Sequence, residues 1–136
     1  MSLLNILGVS GSALAAQTVR LNTISSNLAN AESVSGSAAE AYRAKQPVFS
    51  TVMSEVDDPS LAGVEVAEII EKDGPARQEF APDHPLADAD GYIYFGNVNP
   101  VEEMANMISA SRSYQNSVEA MNTAKQLLLQ TLNLGR

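Results

Sequence analysis

Leucine and isoleucine recur about every seven residues along the first thirty residues of the chain. This spacing places the apolar side chains on one face of a helix, and a sustained repeat of seven favours winding around a partner helix. We therefore predict an N-terminal helix over residues 1–31. Its repeating face consists of Leu7, Leu14, Leu21, Ile24 and Leu28.

The same spacing returns at the other end of the chain, after a clear helix start. Asn99 can cap a helix, Pro100 suits the first helical position, and Glu102 and Glu103 favour the positive end of the helix dipole. We predict a second helix over residues 99–136. Its repeating face consists of Met107, Tyr114, Val118, Met121 and Leu128.

These two patterns predict a mainly α fold, in which the long terminal helices pair as an antiparallel coiled-coil hairpin. The middle of the chain, residues 32–98, carries strand and turn patterns instead. "GVEVAEII" (63–70) and "GYIYF" (91–95) predict short strands, with a turn at 73–75. We expect a small β-hairpin or extended insertion packed near the helices, and an extended arm at 42–53.

The charge is concentrated in the middle of the chain. Residues 32–103 hold fifteen of the sixteen acids and four of the eight bases, a net charge of −11, whereas the whole chain carries −8. An acidic chain lacks the basic face that nucleic acid requires, so we expect no nucleic-acid partner. No run of eighteen apolar residues occurs, so we expect no direct membrane insertion.

The remaining faces of the two helices carry Ser, Thr, Asn and Gln rather than the mixed charge of a solvated face. Val9, Ala16 and Val19 are predicted to lie opposite the leucine face. We predict that the two repeating faces form an assembly interface, together with Asn27 and Asn30, which are expected to form side-chain hydrogen bonds at the end of the first helix.

The segment "ALAAQ" (13–17) raises the alternative of a cleaved export signal. A signal peptide has a basic start and loses its periodic pattern after the cleavage site. Here no base precedes Arg20, and the leucine repeat continues to Leu28. We therefore expect the N-terminal segment to be retained.

The sequence "PDHPLADADGY" gathers Asp83, His84, Asp88 and Asp90, which suggests catalysis or metal binding. The match to a calcium loop fails, because Ile93 and Tyr94 stand where further oxygen ligands should be and no glutamate closes the loop. A single histidine with no cysteine cannot complete a zinc site. We expect a shaped turn with no metal or cofactor, and keep an acidic periplasmic enzyme as a minor alternative.

Three stretches resemble the flagellar axial protein family of rod and hook proteins. "ISSNLANAES" (24–33) is similar to the Asn-Ala element that ends the N-terminal helix in this family. Residues 63–128 carry His-Pro, Ala-Asp, Gly-Tyr, Asn-Val-Asn and Val-Glu-Glu-Met in that order, which resembles the signature of a proximal-rod member. The predicted C-terminal helix is the third stretch that resembles this family. Residues 32–43 depart from the family's Thr-Pro-Gly-Tyr-like sequence.

The resemblance implies a non-enzymatic subunit of the bacterial flagellar rod, the drive shaft of the basal body. It implies export by the flagellar type III apparatus without a cleaved signal, and assembly across the periplasm. The implied partners are other copies of itself, other flagellar rod proteins, the rod-to-membrane-ring adaptor and the export apparatus. A soluble helical adaptor or secretion chaperone that binds one partner is the alternative from the residues alone.

Overall fold

The computed structural model describes residues 3–53 and 62–135. Residues 54–61 of the predicted acidic middle, and the outermost residues of the two predicted helices, lie outside the described residues. The elements are helix α1 (Leu3–Ala29), strands β1 (Val34–Ser35), β2 (Lys45–Met53), β3 (Ala62–Glu71), β4 (Arg77–Phe80) and β5 (Tyr92–Phe95), and helix α2 (Pro100–Leu134).

The prediction of a mainly α fold, a coiled-coil hairpin with a small β insertion, is wrong. The described chain is mixed α/β: it contains two antiparallel sheets in addition to the two helices. One sheet has the strand order β1-β5-β4, and the other pairs β2 with β3. The predicted turn at 73–75 therefore does not close a hairpin between its flanking strands, because β3 pairs with β2 and β4 pairs with β5.

The residues of β2 explain why the sequence predicts only an extended arm at 42–53 and not a paired strand. Its apolar side chains come in adjacent pairs, at 48–49 and 52–53, which match neither the period of a strand nor that of a helix. Its strand conformation depends on pairing with β3, a contact that local sequence does not encode. β1 has only two residues, too few for any periodic pattern.

The start of α2 follows from its sequence. Asn99 Oδ1 accepts hydrogen bonds from the backbone amides of Val101 at 3.1 Å and Glu102 at 3.4 Å, so it satisfies donors that the first turn leaves without intrahelical partners. The helix begins at Pro100, where a missing amide hydrogen costs nothing. The predicted cap is confirmed.

The chain divides into two compact units, each built from separate stretches. The first contains residues 1–21, 47–68 and 109–136. Small buried residues mark its helical packing: Ala16, Ala110 and Ala124 are 0–3% exposed. Ser12 connects α1 to β3, because its Oγ accepts a hydrogen bond from the Val64 amide at 3.2 Å.

The second unit contains residues 22–46 and 69–108. Its three-stranded sheet pairs Val34 with Phe95 on one side and Arg77 with Phe95 on the other. The buried side chains of Ala31, Ala44 and Val98 pack together, and Tyr42 covers them. This small core holds the end of α1, the start of β2 and the segment before α2 together.

Candidate assembly surface

Seven residues of the predicted interface lie in the first unit, and most are partly covered there. Tyr114 is 37% exposed and the other six are half-buried. Gly11 approaches Met121 closely enough that a Cβ on the glycine would lie 3.9 Å from the methionine Cε. The seven are Leu7, Leu14, Leu21, Tyr114, Val118, Met121 and Leu128.

The other five predicted interface residues lie in the second unit. Ile24 and Asn27 are buried within the chain, and Leu28, Asn30 and Met107 are half-buried. Asn30, directly after α1, donates a hydrogen bond to the Ser26 carbonyl of that helix at 2.8 Å. Intermolecular contact at all twelve positions stays a prediction.

Asn27 connects three segments of the second unit through one side chain. Its Nδ2 donates to the Lys45 carbonyl at 2.8 Å and to Glu103 Oε2 at 3.2 Å. Its Oδ1 accepts from the Lys45 amide at 2.8 Å and from the Tyr42 hydroxyl at 3.0 Å. A carboxamide has two donor hydrogens and two acceptor lone pairs, so every one is used while the residue is only 1% exposed. The predicted hydrogen bonding at the end of α1 is confirmed.

The acidic turn, residues 82–92, is held by hydrogen bonds between its own side chains and its own backbone amides. Asp88 Oδ1 accepts from the amides of Asp90 at 3.0 Å and Tyr92 at 2.8 Å, and Oδ2 accepts from the Tyr94 hydroxyl at 2.8 Å. His84 Nδ1 accepts from the Leu86 amide at 3.1 Å. Within residues 3–53 and 62–135, no group of three His, Cys, Asp or Glu side chains is placed to hold a metal ion.

These hydrogen bonds change the acidity of two groups. The bond from the Tyr92 amide, followed by that from the Tyr94 hydroxyl, holds the pKa of Asp88 below its ordinary value of 3.8. The bond to the Asp88 carboxylate raises the pKa of Tyr94. The ionised carboxylate is therefore the form that the folded turn favours.

This turn predicts a dependence of stability on acid pH. Because the pKa of Asp88 is lower in the folded state, its contribution is complete above the unfolded pKa and is lost as the pH falls through the folded pKa. Asp88→Asn keeps the shape of the side chain without its titration. We expect a shallower fall of the melting temperature in this variant below about pH 4, measured by circular dichroism.

The matched control for the pH experiment is Asp83→Asn, which changes an exposed carboxyl nearby in the same segment. This control removes one negative charge from the segment and leaves the hydrogen bonds of Asp88 in place. An equal slope in Asp88→Asn and in the unchanged protein would contradict the role given to the Asp88 carboxylate.

The periodic patterns in the sequence identify only some of the apolar residues that are exposed in the structure. Ala16, which is predicted to lie opposite the leucine face, is 3% exposed, so α1 is covered at this position. Val101, Met104 and Ile108 form an exposed stripe on α2, and their spacing of three and four residues was the signal that could have identified it. A second exposed set occurs near the end of α2. It consists of Leu127, Leu129, Leu132 and Leu134.

Family models for flagellar rod proteins match both ends of the chain. One, described as "Flagella basal body rod protein", matches residues 7–37. Another, described as "Flagellar basal body rod FlgEFG protein C-terminal", matches residues 89–134.

Similarity to individual proteins extends over the whole chain. It is 50% identical to flagellar basal-body rod protein FlgC of Salmonella typhimurium over 136 residues, with 100% of each chain covered. The same protein of Yersinia enterocolitica is 52% identical over 100% of each chain. That of Aquifex aeolicus is 39% identical over 131 residues, with 96% of each chain covered. The chain belongs to the FlgC family of flagellar basal-body rod proteins.

Membership of the FlgC family confirms the resemblance to the flagellar axial proteins and makes the chain a structural subunit of the basal-body rod. The alternative of a soluble adaptor or secretion chaperone is not favoured. Neither helix, over its described residues, is long and apolar enough to cross a membrane.

Proposed function

We propose that this FlgC-family subunit is held in the rod by lateral contacts of its terminal helices with copies of itself and with other rod proteins. The full-length similarity to rod proteins carries this proposal. The exposed apolar side chains of α2, from Val101 to Leu134, support it, since groups of this kind on a monomer mark interaction surfaces. The rod-to-membrane-ring adaptor is a further proposed partner.

The proposed mechanical role is the transmission of torque through packed helices. Close-packed interiors have low compressibility, so they transmit strain rather than absorb it. In the first unit, Ala110 and Ala124 are at most 3% exposed, and such small side chains allow close approach of neighbouring backbone. Heterologous contacts between such subunits generate a helical array when the rotation between neighbours does not close into a ring.

We further propose export through the flagellar apparatus with the N-terminus retained, followed by assembly in the periplasm. Residues 13–15, the "ALA" that could be read as a cleavage site, lie in the interior of the continuous helix α1. Ala16, the next residue, is buried. Cleavage after Ala15 would remove half of this helix, which supports retention.

Leu14→Asp tests the proposed assembly interface. Leu14 is half-buried in the monomer, and a carboxylate there would be covered without an ionic partner once neighbours pack against α1. We expect cells that depend on this variant to be non-motile, with the protein missing from isolated basal bodies. Soft-agar swimming and immunoblots of basal bodies measure the two effects, and mass spectrometry of the incorporated unchanged protein tests retention of its N-terminus.

The control is Asn22→Asp, which adds the same charge at an exposed position of α1. This variant should swim normally. Circular dichroism of both purified variants separates loss of the monomer fold from loss of assembly. Normal swimming of cells with Leu14→Asp would show that the interface is wrongly placed, whereas absence of the unchanged protein from basal bodies would contradict the proposed function.

A further inference from the structure

An open groove of about 540 Å³ lies within the first unit, between α1 and the β2–β3 sheet. We call it the α1–sheet groove. Its volume lies within the range of about 300–1,000 Å³ that is typical of binding clefts. Its lining residues that matter here are Gly8, Val9, Ser12, Val52, Val64 and Glu65.

The groove is apolar and open because of specific residues. Val9 is 38% exposed and Val52 is 42% exposed, so apolar carbon faces the open space. Gly8 contributes no side chain, and a Cβ placed on it would meet no atom within 4 Å. Glu65 supplies a negative charge on the sheet side.

The end of α2 has the complementary chemistry. Residues 126–134 contain no charged side chain, and four of their leucines are 47–85% exposed, so their own chain covers them only in part. We call this segment the leucine tail. Lys125 directly precedes the leucine tail.

The charges on the two surfaces are also opposite. Glu65 accepts a hydrogen bond from Ser50 at 3.2 Å, and within residues 3–53 and 62–135 neither Glu65 nor Lys125 takes part in an ion pair. The same molecule therefore carries the apolar α1–sheet groove with one acid, Glu65, and the apolar leucine tail with one base, Lys125.

We infer that the α1–sheet groove of one subunit binds the leucine tail of a second copy of this chain, with Lys125 of one copy near Glu65 of the other. A second copy is the occupant because the chain supplies both halves of the match. The two surfaces differ, so the contact is heterologous and leaves a free groove and a free tail at the ends of each pair. Such a contact can continue from subunit to subunit, as the proposed rod assembly requires; the inference rests on that proposed function.

The test uses engineered cysteines, because the natural chain has none. Val9→Cys places a thiol in the groove and Leu132→Cys places one on the tail. A disulfide forms only when the two Cα atoms come within about 7 Å. In basal bodies that contain both single variants, we expect oxidation to give a Val9–Leu132 cross-linked dimer, at least tenfold above a control that carries Asn116→Cys in place of Leu132→Cys.

Charge reversal and blocking variants test the same contact independently. Glu65→Lys or Lys125→Glu alone should lower the cross-linking yield at least threefold, and the two together should restore it. Gly8→Phe should fill the groove and abolish the cross-link while the purified monomer keeps its circular dichroism spectrum.

Each other outcome of the cross-linking overturns the inference. Yields at the level of the Asn116→Cys control, with the protein present in basal bodies, would show that the groove does not bind the tail. Dimers formed mainly between two Leu132→Cys chains would show tail-to-tail contact instead. Cross-links only to another rod protein would show a different occupant. In these cases the proposed rod function stands, since it fails only if the protein is missing from basal bodies.

Discussion

Asn27→Ala is expected to lower the free energy of unfolding by about 3–4 kcal/mol. The change removes four hydrogen bonds from a side chain that is only 1% exposed, and it leaves the Lys45 amide and carbonyl without that partner. Each buried polar group without a partner costs about 1–3 kcal/mol. Equilibrium unfolding in urea, followed by circular dichroism, measures the difference.

Asn30→Ala is the matched control, because it removes an asparagine directly after the end of the same helix. Its side chain donates to the Ser26 carbonyl and accepts from Ser33 Oγ at 3.3 Å. Asn30 is only half-buried, so water can replace these bonds and a loss of about 1 kcal/mol is expected. Equal losses in the two variants would contradict the linking role of Asn27.

Replacing Asn27 with aspartate changes the hydrogen-bonding groups of the side chain while its volume stays nearly the same. Asn27→Asp keeps the acceptor oxygen and places a carboxylate where Nδ2 lies 3.2 Å from Glu103 Oε2. Like charges at this distance repel, so we expect destabilisation that Glu103→Gln partly relieves. A double-mutant cycle over these two positions gives the coupling.

Gly96→Ala is expected to destabilise the second unit by about 2–3 kcal/mol, the upper range for forced overpacking. A Cβ on Gly96 would lie 2.6 Å from the carbonyl oxygen of Tyr42 and 3.2 Å from the Cβ of Tyr42. The nearest obstacle is backbone, so rotation of a side chain cannot relieve the clash. The same carbonyl accepts a hydrogen bond from the Asn97 amide at 3.3 Å, which the displaced chain would weaken.

The comparison for this change is Gly8→Ala in the interior of α1. A Cβ at Gly8 meets nothing within 4 Å, and alanine favours a helix over glycine by about 1 kcal/mol. Gly8→Ala should therefore be neutral or stabilising in the same urea experiment. A Gly96→Ala variant as stable as the unchanged protein would show that the contact with Tyr42 is looser than the structure describes.

The helices could be predicted because their signals are local. The start of α2 depends on Asn99 and Pro100, which act on the amides of the next turn. The sheets were only partly predicted. The pattern at 63–70 predicted β3, whereas β2 depends on its pairing with β3 rather than on its own spacing. A fold class inferred from the clearest local patterns therefore gave the helices too much weight.

The candidate interface shows the same limit. Periodicity selects residues for one face, but it cannot distinguish a face covered by its own chain from one left for a neighbour. Ile24 is buried within the monomer, whereas Ile108 is 57% exposed. The partners of Asn27 come from 15 to 76 residues away along the chain, so its environment could not be inferred from the helix that carries it.

The assignment of distant stretches to each compact unit has a consequence for synthesis of the protein. Residues 22–46 meet 69–108, and the opening turns of α1 meet residues beyond 108. A nascent chain on the ribosome therefore cannot complete either compact unit until late in translation. The long stretches of chain between the parts of each unit must be made before those parts can meet. During that interval the amino-terminal half of each newly made chain has no completed core to fold into.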